Sequence, residues 1–247
     1  MIISGRVRRE LATSTRFSDI RLIGSTDSTN RVVADLAAGG APEGVVVAAD
    51  VQSAGRGRLD RRWEAEPGSG LLVSVLLRPS GLSAERLHLV TAAAALAARQ
   101  ACLEVAQVET LVKWPNDLVV LDAKLAGILA ESSGGAVVVG MGLNVHSGPP
   151  EAAVLDVESS RRVSRADVLV AWLRALDPLL GDWDRVSDLY RAACSTVGRR
   201  VRVELAGNES LEGTAVGVDD HGRLEVHDGW RRVVVASGDV VHLRPAR

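Results

Sequence analysis

Residues 110–144 run TLVKWPNDLVVLDAKLAGILAESSGGAVVVGMGLN, and the spacing of turns within them sets the kind of sheet this chain can build. Short apolar runs at 110–114, 118–121, 125–130 and 136–139 are separated by Pro115-Asn116-Asp117, by Asp122-Ala123 and by the polar segment 132–135. No connection is long enough to carry a crossover helix, so consecutive runs pair as hairpins and the sheet is mixed or antiparallel. Pro115 pushes Trp114 toward extended backbone, which presents Asn116 and Asp117 at a turn. Gly127 in mid-strand marks close approach by a ligand or another backbone, and Gly140-Met141-Gly142 ends the fourth run in the same way.

Upstream, residues 1–22 are mixed in pattern. Ser25-Thr26-Asp27-Ser28-Thr29-Asn30 then offers several N-cap candidates ahead of Val32, Val33 and Leu36, a helix ended by Gly39-Gly40. Residues 45–49 and 71–77 read as strands buried on both faces, and Ser83 can cap an alanine-rich helix reaching residue 100. Downstream, 163–180 and 183–194 have helical periodicity and should pack on one face of the sheet. From 197 the pattern becomes short alternating strands at 201–205, 211–218, 224–227, 231–235 and 240–243, with turns at Gly207-Asn208, 219–222 and Asp228-Gly229. These readings give an α+β fold: a mixed or antiparallel central sheet with helices over 1–195, and a small β-barrel over 196–247.

Composition removes several classes of function. At 247 residues with 47% hydrophobic and 24% charged, the chain is an ordinary globular protein. The net charge of -2, and a tail with eight basic and eight acidic residues, argue against a dedicated nucleic-acid binder. Cys102 and Cys194 lack any C-x-x-C spacing and read as reduced, buried thiols. No run approaches the ~18 apolar residues of a membrane span, and no signal segment opens the chain, so a cytoplasmic protein is expected. Of 29 basic residues only two are lysines, Lys113 and Lys124. A compact ammonium suits a phosphate or carboxylate in a tight pocket better than a planar guanidinium does.

Two segments carry charge in a chemically suggestive setting. The stretch Gly55-Arg56-Gly57-Arg58-Leu59-Asp60-Arg61-Arg62-Trp63 is too glycine-rich for regular structure. Such a mobile loop can close over a phosphate with backbone N–H groups and guanidinium forks, or can simply be a solvated basic loop; it is not a P-loop, since no Gly-Lys-Ser/Thr follows. Asn116-Asp117 either satisfies its own turn or reaches a nucleotide and a magnesium ion. Lys124 opens the next apolar strand, so its ammonium projects from a rigid element beside that turn.

Ser28-Thr29-Asn30, Gln52, Gly55-Arg56-Gly57-Arg58, Lys113-Trp114-Pro115-Asn116-Asp117, Lys124-Leu125-Ala126-Gly127-Ile128-Leu129 and Gly140-x-Gly142-x-Asn144 together resemble the biotin protein ligase family in order and spacing. The resemblance covers nearly the whole chain. It implies the mixed sheet shared with class II aminoacyl-tRNA synthetases, with an SH3-like C-terminal domain. It further implies that Ser28, Thr29, Asn30 and Gln52 hold the biotin ureido head, that Gly127 and Gly142 line the same pocket, and that Arg56, Gly57 and Arg58 order over a biotinyl-adenylate. Lys124 would reach the biotin carboxylate and the ATP α-phosphate, acting with Arg56 as the catalytic pair. Arg58, Trp63, Asn116, Asp117, Lys124 and Asn144 would make the nucleotide side, with Asp117 toward Mg²⁺.

The family loop carries glycine where Asp60 stands here, and Asp60 is expected to pair with Arg61 or Arg62. Biotin and ATP are the implied substrates and Mg²⁺ the implied ion. The implied partner is the biotin carboxyl carrier domain of an acetyl-CoA or related acyl-CoA carboxylase, with no DNA and no membrane, the enzyme being a monomer or weak homodimer. The nearest rival is a lipoate ligase or octanoyltransferase, and the full Gly-Arg-Gly-Arg loop with Lys-Trp-Pro-Asn-Asp favours biotin. A catalytically inactive biotin-binding module is a further reading. A DNA-binding repressor is disfavoured because Ser28 comes too early for a winged helix ahead of it.

Overall fold

Strand β1 (Asp19–Thr26) follows helix α1 (Gly5–Ser14) and leads through α2 (Thr29–Ala38) to β2 (Val45–Gln52), which lies parallel to β1 in the computed structural model. The structure describes residues 3–59, 61–205, 209–236 and 238–243. After β3 (Gly70–Leu77) and a 3-10 turn (Ala84–Arg86) comes the long helix α3 (His88–Ala106). Strands β4 (Leu111–Lys113), β5 (Asp117–Val120), β6 (Ala123–Ser133) and β7 (Ala136–Asn144) are successive antiparallel hairpins, as the turn spacing dictated. The sheet order is β1-β2-β3-β7-β6-β5-β4, and the parallel β1–β2 pair makes it mixed. Helices α4 (Leu155–Glu158), α5 (Arg165–Leu176) and α6 (Trp183–Ala193) complete this part.

Alternation along the strands sorts the core into two layers. Val46, Ala48, Val75, Leu77, Val137 and Val139 join the core cluster that includes α3, α5 and α6. Val45, Val47, Leu76, Ala136 and Val138 pack instead with Val33 of α2. α2 covers only part of this second face. Farther along the strands the same face carries Ser74, Gly127, Gly140 and Gly142, so the sheet there is almost bare backbone.

The sequence reading departs from the structure in several places. Residues 1–22 hold α1, capped by the Ser4 hydroxyl, and the start of β1. Ser28 is the N-cap residue of α2 but its side chain makes no capping bond. Ser83 does not cap α3, and the helix runs past residue 100 to Ala106 because no glycine or proline interrupts it before Gln107, which adopts a left-handed conformation. The strand expected at 136–139 continues to Asn144, since β3 and β6 pair with it on both sides through Gly140 and Gly142. The helical stretch Ala84–Ala106 is long and apolar enough to cross a membrane by length and composition, yet α3 within it is a core helix.

The tail forms an antiparallel sheet of β8 (Arg200–Glu204), β9 (Ser210–Val218), β10 (Leu224–His227), β11 (Arg232–Val235) and β12 (Asp239–His242), in the order β11-β10-β9-β8-β12. The turn expected at Gly207-Asn208 lies outside the described residues. This sheet is fastened to the rest of the chain by directed contacts. The indole of buried Trp114 donates to the Gly222 carbonyl at 2.8 Å, its backbone N–H donates to Thr196 Oγ1 at 3.1 Å, and Asp122 accepts from Arg199 at 2.5 Å.

Candidate active site

The bare region of the sheet is the floor of a cavity of about 310 Å³. Ser28, Thr29, Asn30 and Gln52 stand at one part of its wall, where β1 passes into α2 and β2 ends. Arg56, Gly57, Arg58 and Trp63 come from the glycine-rich loop, and Asn116, Asp117, Lys124, Gly127 and Gly142 from the hairpin strands. Lys113 also lines it, so the chain's two lysines meet in one site.

Lys124 Nζ lies 2.7 Å from Asp117 Oδ1 and 5.6 Å from the centroid of Trp63. The Asp117 contact is an ion pair rather than an aligned hydrogen bond, for Oδ1 is buried with no hydrogen-bond partner among the described residues. A rigid β6 strand beside the β5 turn thus places one ammonium within a short swing of any anion entering the cavity. Asn116 Nδ2 donates to the Ile128 carbonyl at 2.7 Å, and the Ile128 N–H returns to the Asn116 carbonyl at 3.0 Å, which pins the turn to β6.

Trp63 rests on glycine. A Cβ at Gly142 would fall 2.4 Å from the indole Cε2, and one at Gly127 would fall 3.3 Å from its Cζ3. Any side chain at Gly142 would therefore expel the indole, whose buried Nε1 has no hydrogen-bond partner among the described residues. The loop bearing Trp63 folds on itself: Gly57 N–H donates to the Arg61 carbonyl at 2.7 Å and Trp63 N–H to the Gly55 carbonyl at 3.1 Å. Arg56 pairs with Glu131 at 2.9 Å, and Arg61 pairs with Asp239 of the tail. Burial pulls the Arg58 guanidinium below its usual range, opposed by the charges of Asp239 and Asp117. Asp60, expected to pair within the loop, lies outside the described residues.

At the other wall the polar groups form a chain. Thr29 N–H donates to Gln52 Oε1 at 2.7 Å, Ser74 Oγ lies 2.7 Å from Thr29 Oγ1 and 2.6 Å from Asn30 Oδ1, and Asn30 Nδ2 donates to Glu131 Oε2 at 2.7 Å. Gly140 makes room for this: a Cβ there would sit 2.1 Å from Asn30 Oδ1.

Asn144 is the expected residue that does not line the cavity. It is buried, and its Nδ2 donates to the Ala153 carbonyl at 3.2 Å and the Lys124 carbonyl at 3.4 Å, so it braces the backbone that carries Lys124. Sequence reasoning missed Ser74 and Glu131, each an isolated polar residue in a strand with no motif around it. It also missed Glu204, Asp239, Val240 and Val241, which the tail brings to the cavity and which nothing local could have signalled. Both cysteines are buried and unpaired, and burial pushes the Cys102 thiol up to about 12, which leaves it a poor nucleophile. No group of three His, Cys, Asp or Glu side chains that could hold a metal occurs among the described residues.

Comparison with known proteins gives concordant results. Residues 22–147 match the model of the biotin/lipoate A/B protein ligase family, and residues 196–243 match the biotin protein ligase C terminal domain. The chain is 39% identical over 235 residues to the biotin--[acetyl-CoA-carboxylase] ligase of Mycobacterium tuberculosis, spanning 90% of this chain and 88% of that relative. It is 32% identical to the enzyme of the same name from Paracoccus denitrificans, spanning 89% and 98%. The solved biotin protein ligase of Aquifex aeolicus in complex with biotin and ATP superposes with a TM-score of 0.80 at 25% identity, covering 92% of this chain and all of that one.

Proposed function

This chain belongs to the biotin/lipoate A/B protein ligase family, and from that membership we propose that it joins biotin to ATP as biotinyl-5′-AMP and transfers the biotinyl group to a lysine of a biotin carboxyl carrier protein. The observation that carries the reading is one cavity with a neutral hydrogen-bonding wall of Thr29, Asn30 and Gln52, a glycine floor, and the cations Arg56, Arg58 and Lys124. A lipoyl chain has no hydrogen-bonding head for such a wall, and the tail matches a domain named for biotin protein ligases. The proposed division of labour gives 1–195 the binding of both substrates and 196–247 a closing wall, in a monomer or weak homodimer working in the cytoplasm without DNA.

The reaction needs two anions held together. A biotin carboxylate oxygen attacks the α-phosphorus, that P–O bond forms, and the bond to the leaving pyrophosphate breaks with its electron pair. Lys124 Nζ, released from Asp117, offsets the charge between carboxylate and α-phosphate, and Arg56 and Arg58 bind phosphate oxygens in pairs. Asp117 lies on the cavity wall, and a single carboxylate there fits a Mg²⁺ ion held chiefly by the triphosphate, which would neutralise phosphate charge. The Trp63 indole then shields the mixed anhydride from water. An amine of the acceptor lysine attacks the acyl carbon, the acyl–oxygen bond breaks, and AMP departs with its electrons while a proton is lost from the amine. Asn144 serves this site from beneath, by holding the Lys124 carbonyl.

Pyrophosphate release from ATP, measured with biotin or with lipoate and repeated on Lys124→Ala, tests the assignment. Biotin-dependent release that falls by roughly 10²- to 10³-fold in the variant is the expected outcome. Release with lipoate instead would move the chain to the rival acyl-ligase activity, and release unchanged by Lys124→Ala would remove that residue from the chemistry.

A further inference from the structure

The polar wall of the cavity is one proton short. Three oxygen–oxygen contacts run in series: Asn30 Oδ1 to Ser74 Oγ at 2.6 Å, Ser74 Oγ to Thr29 Oγ1 at 2.7 Å, and Thr29 Oγ1 to Gln52 Oε1 at 3.0 Å. Both ends have a polarity fixed by neighbours that cannot reverse it. Asn30 turns its NH₂ to Glu131 Oε2 at 2.7 Å and the Leu129 carbonyl at 3.4 Å, both of which only accept, so it must show Ser74 its oxygen. Gln52 takes the Thr29 backbone N–H on Oε1 at 2.7 Å, so it too shows oxygen. Two acceptor ends, three contacts and only two hydroxyl protons remain, those of Ser74 and Thr29. However the hydroxyls rotate, one contact holds no proton. The Thr29–Gln52 contact is the longest of the three and the one whose partners both line the cavity, whereas Ser74 is fully buried.

We infer that Ser74 and Glu131, neither of which lines the cavity, set the hydrogen-bond polarity of the ligand pocket so that the bound head group must bring an N–H donor to Thr29 Oγ1 and Gln52 Oε1. The inference rests on the biotin reading and deepens it, because a cyclic urea carries such an N–H and a dithiolane ring carries none. Ser74 gives its proton to Asn30 and takes that of Thr29, which leaves a Thr29 lone pair for the ligand. Glu131, held on its other oxygen by Arg56 at 2.9 Å, keeps the Asn30 amide from turning over. Both are positioning residues.

Titration calorimetry with biotin and with its two cyclic carbamate analogues, each having oxygen in place of one ureido N–H, reads this directly. The wild-type protein should bind one analogue about ten- to a hundredfold more weakly than biotin, since an oxygen then faces two acceptors. Ser74→Ala frees the Thr29 proton to turn to the analogue's oxygen, and Glu131→Gln can donate to a reversed Asn30, opposed only by the 3.4 Å contact to the Leu129 carbonyl, which reverses the chain of hydroxyl protons. Either change should bring the ratio of biotin to analogue within a few fold. Circular dichroism confirms folding, and if Ser74→Ala fails to fold, Glu131→Gln decides. A ratio that stays the same in the folded variants, as would follow from a purely packing role, overturns the inference, as does a wild-type protein that tolerates both analogues. Absence of any biotin binding by the wild type would instead sink the biotin reading on which it depends.

Discussion

At the scale of single residues the site is built by what glycine omits. Gly140 and Gly142 face the same side of β7, and each yields its Cβ volume to a functional neighbour, Asn30 in one case and Trp63 in the other. Gly140→Ala is expected to push Asn30 off Ser74 and Glu131 while leaving the strand paired. The KM for biotin should then rise by about tenfold or more in pyrophosphate-release assays, with circular dichroism unchanged. An unaltered KM would mean that Asn30 has no part in recognition. These glycines were legible in the sequence as points of close approach, but what approaches them was not. The partner of Gly142 is an indole seventy-nine positions earlier in the chain.

At the scale of elements, helix α3 joins the sheet to α5 and α6. Its run of alanines, Ala92 to Ala95 with Ala97 and Ala98, is buried, and the small side chains let α5 approach closely enough for the Trp172 indole to donate to the Ala94 carbonyl at 3.0 Å. Ala97→Leu adds volume where none is available and should destabilise the protein by about 1–3 kcal/mol in urea unfolding, without changing the affinity for biotin. A neutral result would show that the α3–α5 seam can relax. The hairpin strands were foreseeable because loop length alone forbids a crossover between them. Strand β7 reads as short, since a Gly-x-Gly tip ends an isolated strand, whereas pairing on both edges sustains this one to Asn144. Ser83 reads as the cap of α3, but the helix starts at His88 behind an intervening 3-10 turn.

At the scale of the whole molecule, the tail both closes the cavity and leans on α3, where a Cβ at Gly222 would lie 1.9 Å from the His88 ring. Burial holds His88 down at about 4, against the opposing charge of Asp219 and with Arg86 and His221 adding to the depression. The unfolded chain therefore takes up this proton first, near the ordinary value of ~6.5. The contribution of neutral His88 is fully present above that pH, declines as pH falls through it, and levels off below about 4. Discounted for partial exposure, the loss is on the order of 1–2 kcal/mol, and melting curves from pH 7 to 4.5 should fall more steeply for the wild type than for His88→Gln. Parallel curves would show that this contact does not sense pH. The order and type of most elements, the hairpin run of the sheet, the separate β-rich tail and the charged motifs were legible in the amino-acid order, because periodicity, turn length and glycine placement act over a few residues. Packing settled the rest: that β1 and β2 pair in parallel, that Trp63 lies on Gly142, that Glu131 and Ser74 back the polar wall from behind, that Asn144 sits beneath the cavity, and that Asp239 of the tail holds Arg61. Those contacts join residues from nine to 178 positions apart, and they exist only once packing of the sheet, the loop and the tail has fixed the distances between them.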